Sequence, residues 1–273
     1  MKHRSTQIFF LGVVLIIGLG FSLGIHRGNP EIREWDITHP SLPDITVALL
    51  SDFHFSSVDD LGELSVLRRQ ILSADPDLIV LAGDYIGSLS IYEEVSRETL
   101  VKALESLVYP IPAFAVLGNH DNWDSREQWI RAFDHSHIRL IENEIATSRI
   151  ADATICIRGL GDYYSGHYVY VEIPESCRGL IITVTHDPAG LIQHADTLET
   201  LSLAGHTHCG QIALPFIGPL IVPTIAPKKM HCGRFQLEHT GITSGGIGTS
   251  ILPIRFGPDT ASGWELIQIQ HLE

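Results

Sequence analysis

Five times between residues 45 and 208, a short unbroken apolar run gives way at once to ionisable residues. Residues 45–50 lead into Ser51-Asp52-Phe53-His54, residues 78–81 into Ala82-Gly83-Asp84, and residues 113–117 into Gly118-Asn119-His120-Asp121. Residues 180–185 lead into His186-Asp187-Pro188, and residues 201–204 into Gly205-His206-Thr207-His208. Short runs rich in β-branched residues and lacking alternation read as strands covered on both faces. Helical patterns lie between them. Ser57 opens one, with Asp60 in a capping-box position and Leu61, Leu64, Leu67 and Ile71 on one stripe. A second covers 92–108 and stops before Pro110 and Pro112; a third starts at Asp124 and buries Trp129, Ile130 and Phe133. Alternating strands and helices predict a layered α/β fold, in which ligands gather at the C-terminal strand ends. All five polar clusters fall at such ends. From residue 212 the chain is richer in Gly and Pro and adds β structure, and residues 264–269 alternate like a strand with one exposed face. The glycine-rich 245–248 block is a loop; no helix directly follows it, so a P-loop is excluded.

Residues 8–25 carry no charge. The run is near the lower length limit for crossing a bilayer, exceeds the usual apolar core of a signal peptide, and ends without a small-x-small cleavage site. It reads as an uncleaved single-pass anchor, which places the chain in the cell inner membrane. Lys2 and Arg4 before the run and Arg27 and Arg33 after it leave the face of the catalytic domain undecided. The expected organisation is a tail at 1–7, the anchor at 8–25, a stiff spacer at 26–44 with Pro30, Pro40 and Pro43, and one domain over 45–273.

With 18 Lys plus Arg against 32 Asp plus Glu, the formal charge is −14, which argues against non-specific nucleic-acid binding. An acidic chain acting on phosphate needs cations to offset its own charge. Four cysteines, at 156, 177, 209 and 232, are too few for a disulfide scaffold and show no CxxC spacing.

The strand-end residues collect into one donor set: Asp52, His54, Asp84, Asn119, His120, Asp121, His186, His206 and His208. Carboxylates mixed with imidazoles suit Mn, Fe or Zn rather than Ca. Asp52/His54 and His206/His208 share an i, i+2 spacing, and a single Asp between two such pairs can bridge two metals for in-line phosphoryl displacement.

Asp52-x-His54, Gly83-Asp84, Gly118-Asn119-His120-Asp121, His186 and Gly205-His206-x-His208 resemble the signature of the calcineurin-like metallophosphoesterases. The resemblance covers residues 45–273. The stretches at 205–211, 218–223 and 246–250 resemble its bacterial membrane-anchored YaeI/YkuE-type branch, which includes a UDP-2,3-diacylglucosamine pyrophosphatase of lipid A synthesis. It implies an α-β-β-α sandwich and two divalent ions, Mn favoured over Fe or Zn. Asp52, His54 and His208 would bind the first, Asp84 would bridge, and Asn119, His186 and His206 would complete the second. A metal-activated water would attack, with His120 assisting the leaving group and Asp121 fixing the His120 tautomer. The implied substrate is a phosphodiester or lipid-linked pyrophosphate, with UDP-2,3-diacylglucosamine as the specific expectation. That expectation requires a cytoplasmic domain. The alternatives are a broad-range phosphodiesterase or phosphomonoesterase, and a metal-binding scaffold without turnover; oligomeric state is not encoded.

Three positions depart from the family pattern. Cys209 stands where Gly is usual, either as a small tolerated residue or as a metal-touching or redox-sensitive thiol. Asp187 replaces a common Asn. Gly245 replaces a common Arg, which leaves Arg255, with Arg234, Lys228 and Lys229, as substitute phosphate contacts.

Overall fold

A computed structural model describes residues 25–26, 29–39, 42, 44–56, 60–87, 96–150, 153–193, 200–214 and 216–271. Two six-stranded sheets form its frame. The first contains β1 (Glu31–His39), β2 (Ile45–Leu50), β3 (Leu78–Leu81), β4 (Ala113–Ala115) and β5 (Arg139–Leu140). The second contains β6 (Glu144–Ile150), β7 (Ala153–Gly159), β8 (Ile181–Val184), β9 (Leu201–Ala204), β10 (Gly233–Gln236) and β11 (Thr240–Thr243). The last strand, β12 (Gly263–His271), returns to the first sheet. The orders are β1-β12-β2-β3-β4-β5 and β10-β11-β9-β8-β7-β6.

The unbroken apolar runs behave as expected of strands with two covered faces. Along β2, Val47 and Leu49 join Val80, Phe114, Ile157 and Ile182 between the sheets, while Ala48 and Leu50 face the helices. Three helices lie on that outer face: α1 (Asp60–Ala74), α2 (Arg97–Val108) and α3 (Asn119–Asp134). Leu67 and Ile71 of α1, Leu100 and Leu104 of α2, and Trp129 and Phe133 of α3 are buried there, each such side chain contributing about 1.5–3 kcal/mol relative to exposure. The far side of the second sheet departs from the expected sandwich. Among the described residues it carries 3₁₀ turns, Pro188–Ile192 and Lys228–Met230, in place of a helical layer.

Other expectations need correction. Residues 31–39, assigned to a spacer, form β1, paired parallel along its whole length with β12. The prolines flank this strand rather than interrupt it. Arg33, Trp35 and Ile37 turn one way: the Arg33 guanidinium and the Trp35 indole both donate to Glu265, at 2.9 and 2.7 Å, and Ile37 is buried. Because β1 covers its edge, β12 is central and Glu265 fully buried, where an exposed face was expected. Helix α3 begins at Asn119, five residues before Asp124, with a kink at Ser125. The 8–24 part of the expected anchor lies outside the described residues, as do 57–59 and 92–95 of the expected helices. Among the described residues no helix is long and apolar enough to cross a membrane. Residue 25, the last of the apolar run, already pairs with the domain: Ile25–His26 is antiparallel to Arg255–Phe256.

Candidate active site

Strands β2, β3 and β4 are mutually parallel, as are β8 and β9, so five C-terminal strand ends meet at one edge of the two sheets. Backbone bonds continue past the strands and align the ligand-bearing turns: Asp52 N–H donates to Gly83 O (2.9 Å), His54 N–H to Asp84 O (3.1 Å), and Gly205 N–H to His186 O (2.9 Å). Asp52, His54, Asp84, His206 and His208 all have positive φ, between 49° and 69°. Side chains other than Gly, Asn, Asp or His rarely tolerate that region, and such strain collects where a site over-determines the backbone. Gly246 is needed for the same close approach. At φ +78°, a Cβ there would stand 2.6 Å from the Asp52 Cβ.

All seven expected ligands are buried in one place. Donor atoms of Asp52, His54 and His208 form one group, and those of Asp84, His186 and His206 another. Asp84 Oδ2 is common ground: it lies 3.2 Å from His186 Nε2, 3.5 Å from His54 Nε2 and 4.0 Å from His120 Nε2. Its other oxygen accepts the His120 backbone N–H at 2.8 Å.

The tautomers test whether cations fit. His186 Nδ1–H donates to Ala82 O (2.6 Å) and His206 Nε2–H to Pro223 O (2.7 Å), so His186 Nε2 and His206 Nδ1 face each other at 3.3 Å. Carbonyl partners of this kind orient metal-binding imidazoles. Burial alone would lower the His186 pKa; Asp84, with Asp52 and Asp162, instead raises it well above its ordinary value. Positive charge belongs between Nε2 and Asp84, as a proton or as a cation. The Asp84 carboxyl is held far below the usual range, against burial, by His186, His54 and His120. Asn119 Oδ1 is buried with no hydrogen-bond partner, an arrangement costly unless something else accepts its lone pair. In the first group, His54 Nε2 and His208 Nε2 are 3.0 Å apart. Burial lowers the His54 pKa to about 4 and takes the His208 pKa well below its ordinary value. Arg255 can only donate, so in this contact (3.1 Å) His208 Nδ1 accepts and the neutral ring carries its proton on Nε2; ligation of a cation through Nε2 would move that proton to Nδ1 and break the contact with Arg255. The residues fit two divalent ions.

His120 stands at the rim of this set, its ring edge-on to His54 with centroids 4.7 Å apart. Burial lowers its pKa, as do His186 and His206, against Asp84. Asp121 has a different task from the one expected. Its Oδ2 accepts the N–H groups of Asp84 and Gly118, both at 2.8 Å, and its Oδ1 those of Tyr85 at 2.9 Å and Ile86 at 3.3 Å. A carboxylate has about four acceptor positions, and backbone amides use them all. Asp121 clamps the Asp84 turn to the start of α3.

Arg255 also differs. It is buried, and its guanidinium donates to the carbonyls of Gly248, Thr260, Gly246 and His208, so it braces the loop behind the metal ligands and does not reach into the cavity. Burial brings its pKa down to about 10. Gly245 makes room for another cation: a Cβ there would lie 3.2 Å from Arg33 Nη2. Asp187 caps the 3₁₀ turn through Ala189 N–H (3.0 Å) and accepts from Thr224 Oγ1 (2.6 Å). All four cysteines are paired, Cys156 with Cys177 and Cys209 with Cys232. Neither pairing has a sequence motif, because chain crossings bring partners 21 and 23 residues apart together. Cys209 therefore offers no thiolate to a metal, and the donor set is nitrogen and oxygen only.

Two site residues escaped the sequence reading. Tyr164 packs against His206 with ring centroids 4.8 Å apart, and Trp123 lies 5.6 Å from His120. Trp123 falls one helical turn beyond Asn119, and Tyr164 lies in the 160–168 loop, tied to α3 by Asn122 Nδ2–H donating to Ser165 Oγ (3.0 Å). Together with Asp84, Asn119, His206 and His208 they line a cavity of about 560 Å³.

The family model described as Calcineurin-like phosphoesterase matches residues 45–210, a span that holds every one of the five strand-end clusters. The uncharacterized metallophosphoesterase YkuE of Bacillus subtilis is 31% identical over 94% of this chain and 95% of its own length. The phosphodiesterase YaeI of Escherichia coli is 25% identical over 73% of this chain and 74% of its own. A zebrafish transmembrane protein with metallophosphoesterase domain is 26% identical over 83% of this chain, which spans 54% of that protein. The match to the family and the cation-demanding geometry of the strand ends agree: this chain belongs to the calcineurin-like phosphoesterases and is a metal-dependent phosphoester hydrolase.

Proposed function

We propose that the protein is a membrane-tethered hydrolase of phosphodiester or pyrophosphate bonds that works with two divalent ions, manganese first. The observation that carries this reading is Asp84 Oδ2, set between two imidazole groups whose lone pairs converge on it. Asp52, His54 and His208 would hold one ion and Asn119, His186 and His206 the other, with Asp84 shared between them. The all-nitrogen-and-oxygen donor set, with Cys209 withdrawn into a disulfide, suits manganese, iron or zinc, and manganese is the first to be tested. Ions held there would offset the charge of phosphate oxygens and lower the pKa of a water. His120, at the cavity rim, donates to the oxygen of the leaving group; its lowered pKa keeps the ring neutral near pH 7, so it acts as an N–H donor. Trp123 and Tyr164 wall the cavity beside it.

Two disulfides support a domain outside the reducing cytoplasm. That counts against UDP-2,3-diacylglucosamine, a cytosolic nucleotide sugar, and favours a diester of another kind. The test uses full-length protein loaded with Mn²⁺ and three substrates: bis-p-nitrophenyl phosphate, p-nitrophenyl phosphate and UDP-2,3-diacylglucosamine, with Asp84→Asn as the blank. Diester turnover lost in the blank is expected. UMP release from the nucleotide sugar would restore the lipid A reading. Bound metal without turnover of any ester would make the protein a scaffold.

A further inference from the structure

Residues 212–227 contain no charged side chain, in a chain of net charge −14. This stretch is not core. It forms a small hairpin, Ala213–Leu214 against Gly218–Pro219, and then crosses the mouth of the cavity. Phe216 at the hairpin tip is fully exposed, and Ile217, Ile221, Ile225 and the neighbouring Ile251 are each 66–78% exposed. Ile221, Ile251 and Leu252 line the cavity across from the ligands. A contiguous apolar surface of this kind marks an interaction site. Lys228 follows directly and its ammonium lies beside Gly218 of the hairpin, at the polar border of the patch.

The position of the N-terminal apolar run says what covers this surface. Ile25, its last residue, pairs with Phe256, and Phe256 bridges to Ile212 at the root of the hairpin. No spacer separates the run from the rim: the uncharged 8–24 segment is joined to the domain at residue 25, at the same edge at which the hydrophobic tip protrudes.

We propose that the 212–227 hairpin and the 250–252 loop seat in the headgroup–acyl boundary of a lipid bilayer, so that the cavity opens onto the membrane surface. Resting on the phosphoesterase reading above, the proposal also assigns the substrate class: a phosphate ester of a bilayer amphiphile, with its head in the metal site and its apolar part along Ile221, Ile251 and Leu252. The exposed apolar tip enters the lipid, and Lys228 stays at headgroup level, as in interfacial segments generally.

The experiment uses the full chain in vesicles of phosphatidylcholine with a minority of phosphatidylglycerol, with and without bromine on the acyl chains. Phe216→Trp supplies the reporter, and Ile217→Trp supplies a second, both at exposed positions where packing is not disturbed. Bromolipid should remove about half or more of the emission that the new indole adds to the native signal. Added emission indifferent to bromolipid but quenched by acrylamide places the tip in water and overturns the proposal. Protection from both quenchers means that a second copy covers the face, and overturns it as well. So does a chain that fails to associate with vesicles. Turnover of soluble bis-p-nitrophenyl phosphate by the same samples separates the two readings: quenching without turnover leaves the docking surface standing and removes the phosphoesterase assignment.

Discussion

Replacing Asp121 by asparagine separates a backbone clamp from a partner of the His120 ring. The buried carboxylate accepts four N–H groups, from Asp84, Tyr85, Ile86 and Gly118, at 2.8–3.3 Å. Asparagine keeps one oxygen, enough for the two bonds at 2.8 Å, and turns an NH₂ toward Tyr85 and Ile86. Two buried N–H groups lose their acceptor, at about 1–3 kcal/mol each, so the expected loss of stability is about 2–6 kcal/mol. Urea unfolding in EDTA, followed by tryptophan fluorescence, reads this directly without a contribution from bound ions. Because the turn so released carries Asp84, metal content measured on the folded variant should fall in parallel. A loss below about 1 kcal/mol with full metal content and reduced turnover would refute the clamp and restore a bond from Asp121 to the His120 imidazole.

Gly246→Ala should weaken metal binding, because its Cβ would meet the Asp52 Cβ at 2.6 Å in a left-handed backbone; a stability loss of about 1–3 kcal/mol is expected, and an unchanged Mn²⁺ affinity in a chelator competition would count against it. Opening the Cys209–Cys232 loop, of 23-residue separation, by Cys232→Ser should cost about 3 kcal/mol. Thiol titration of the unreduced, unfolded native chain should find no free thiol, and four would refute both pairings. Burial, with Asp162, pushes the Glu142 carboxyl from 4.5 to about 7, against the Leu117 N–H and Arg126. The folded state therefore holds more protons between those values, and stability falls as pH rises through that window, by up to about 3 kcal/mol. Glu142→Gln should flatten this slope in urea titrations at pH 5 and 8; an unchanged slope would rule out Glu142 as its source.

The apolar runs ending in Asp52, Asp84, Asn119, His186 and His206 made the strands legible, and with them the cluster of donors at their ends, because a strand covered on both faces needs unbroken hydrophobicity. The pattern failed where a residue's role depends on what crosses it from elsewhere in the chain. Residues 31–39 read as a spacer because prolines surround them, and only pairing with β12 makes them a strand. Arg255 resembled a phosphate contact by proximity, yet four backbone carbonyls claim its guanidinium. Cys209 read either as a small tolerated residue or as a reactive thiol until the fold brought Cys232 to it. Asp121 was legible as a site residue but not as a clamp, since three of its four partners lie some 35 residues earlier on another strand end. Local sequence determined which groups can bind cations, because that property resides in the side chain. The tertiary structure decided which polar atoms face the cavity and which are spent on the backbone, because each buried donor and acceptor must find a partner wherever the chain passes.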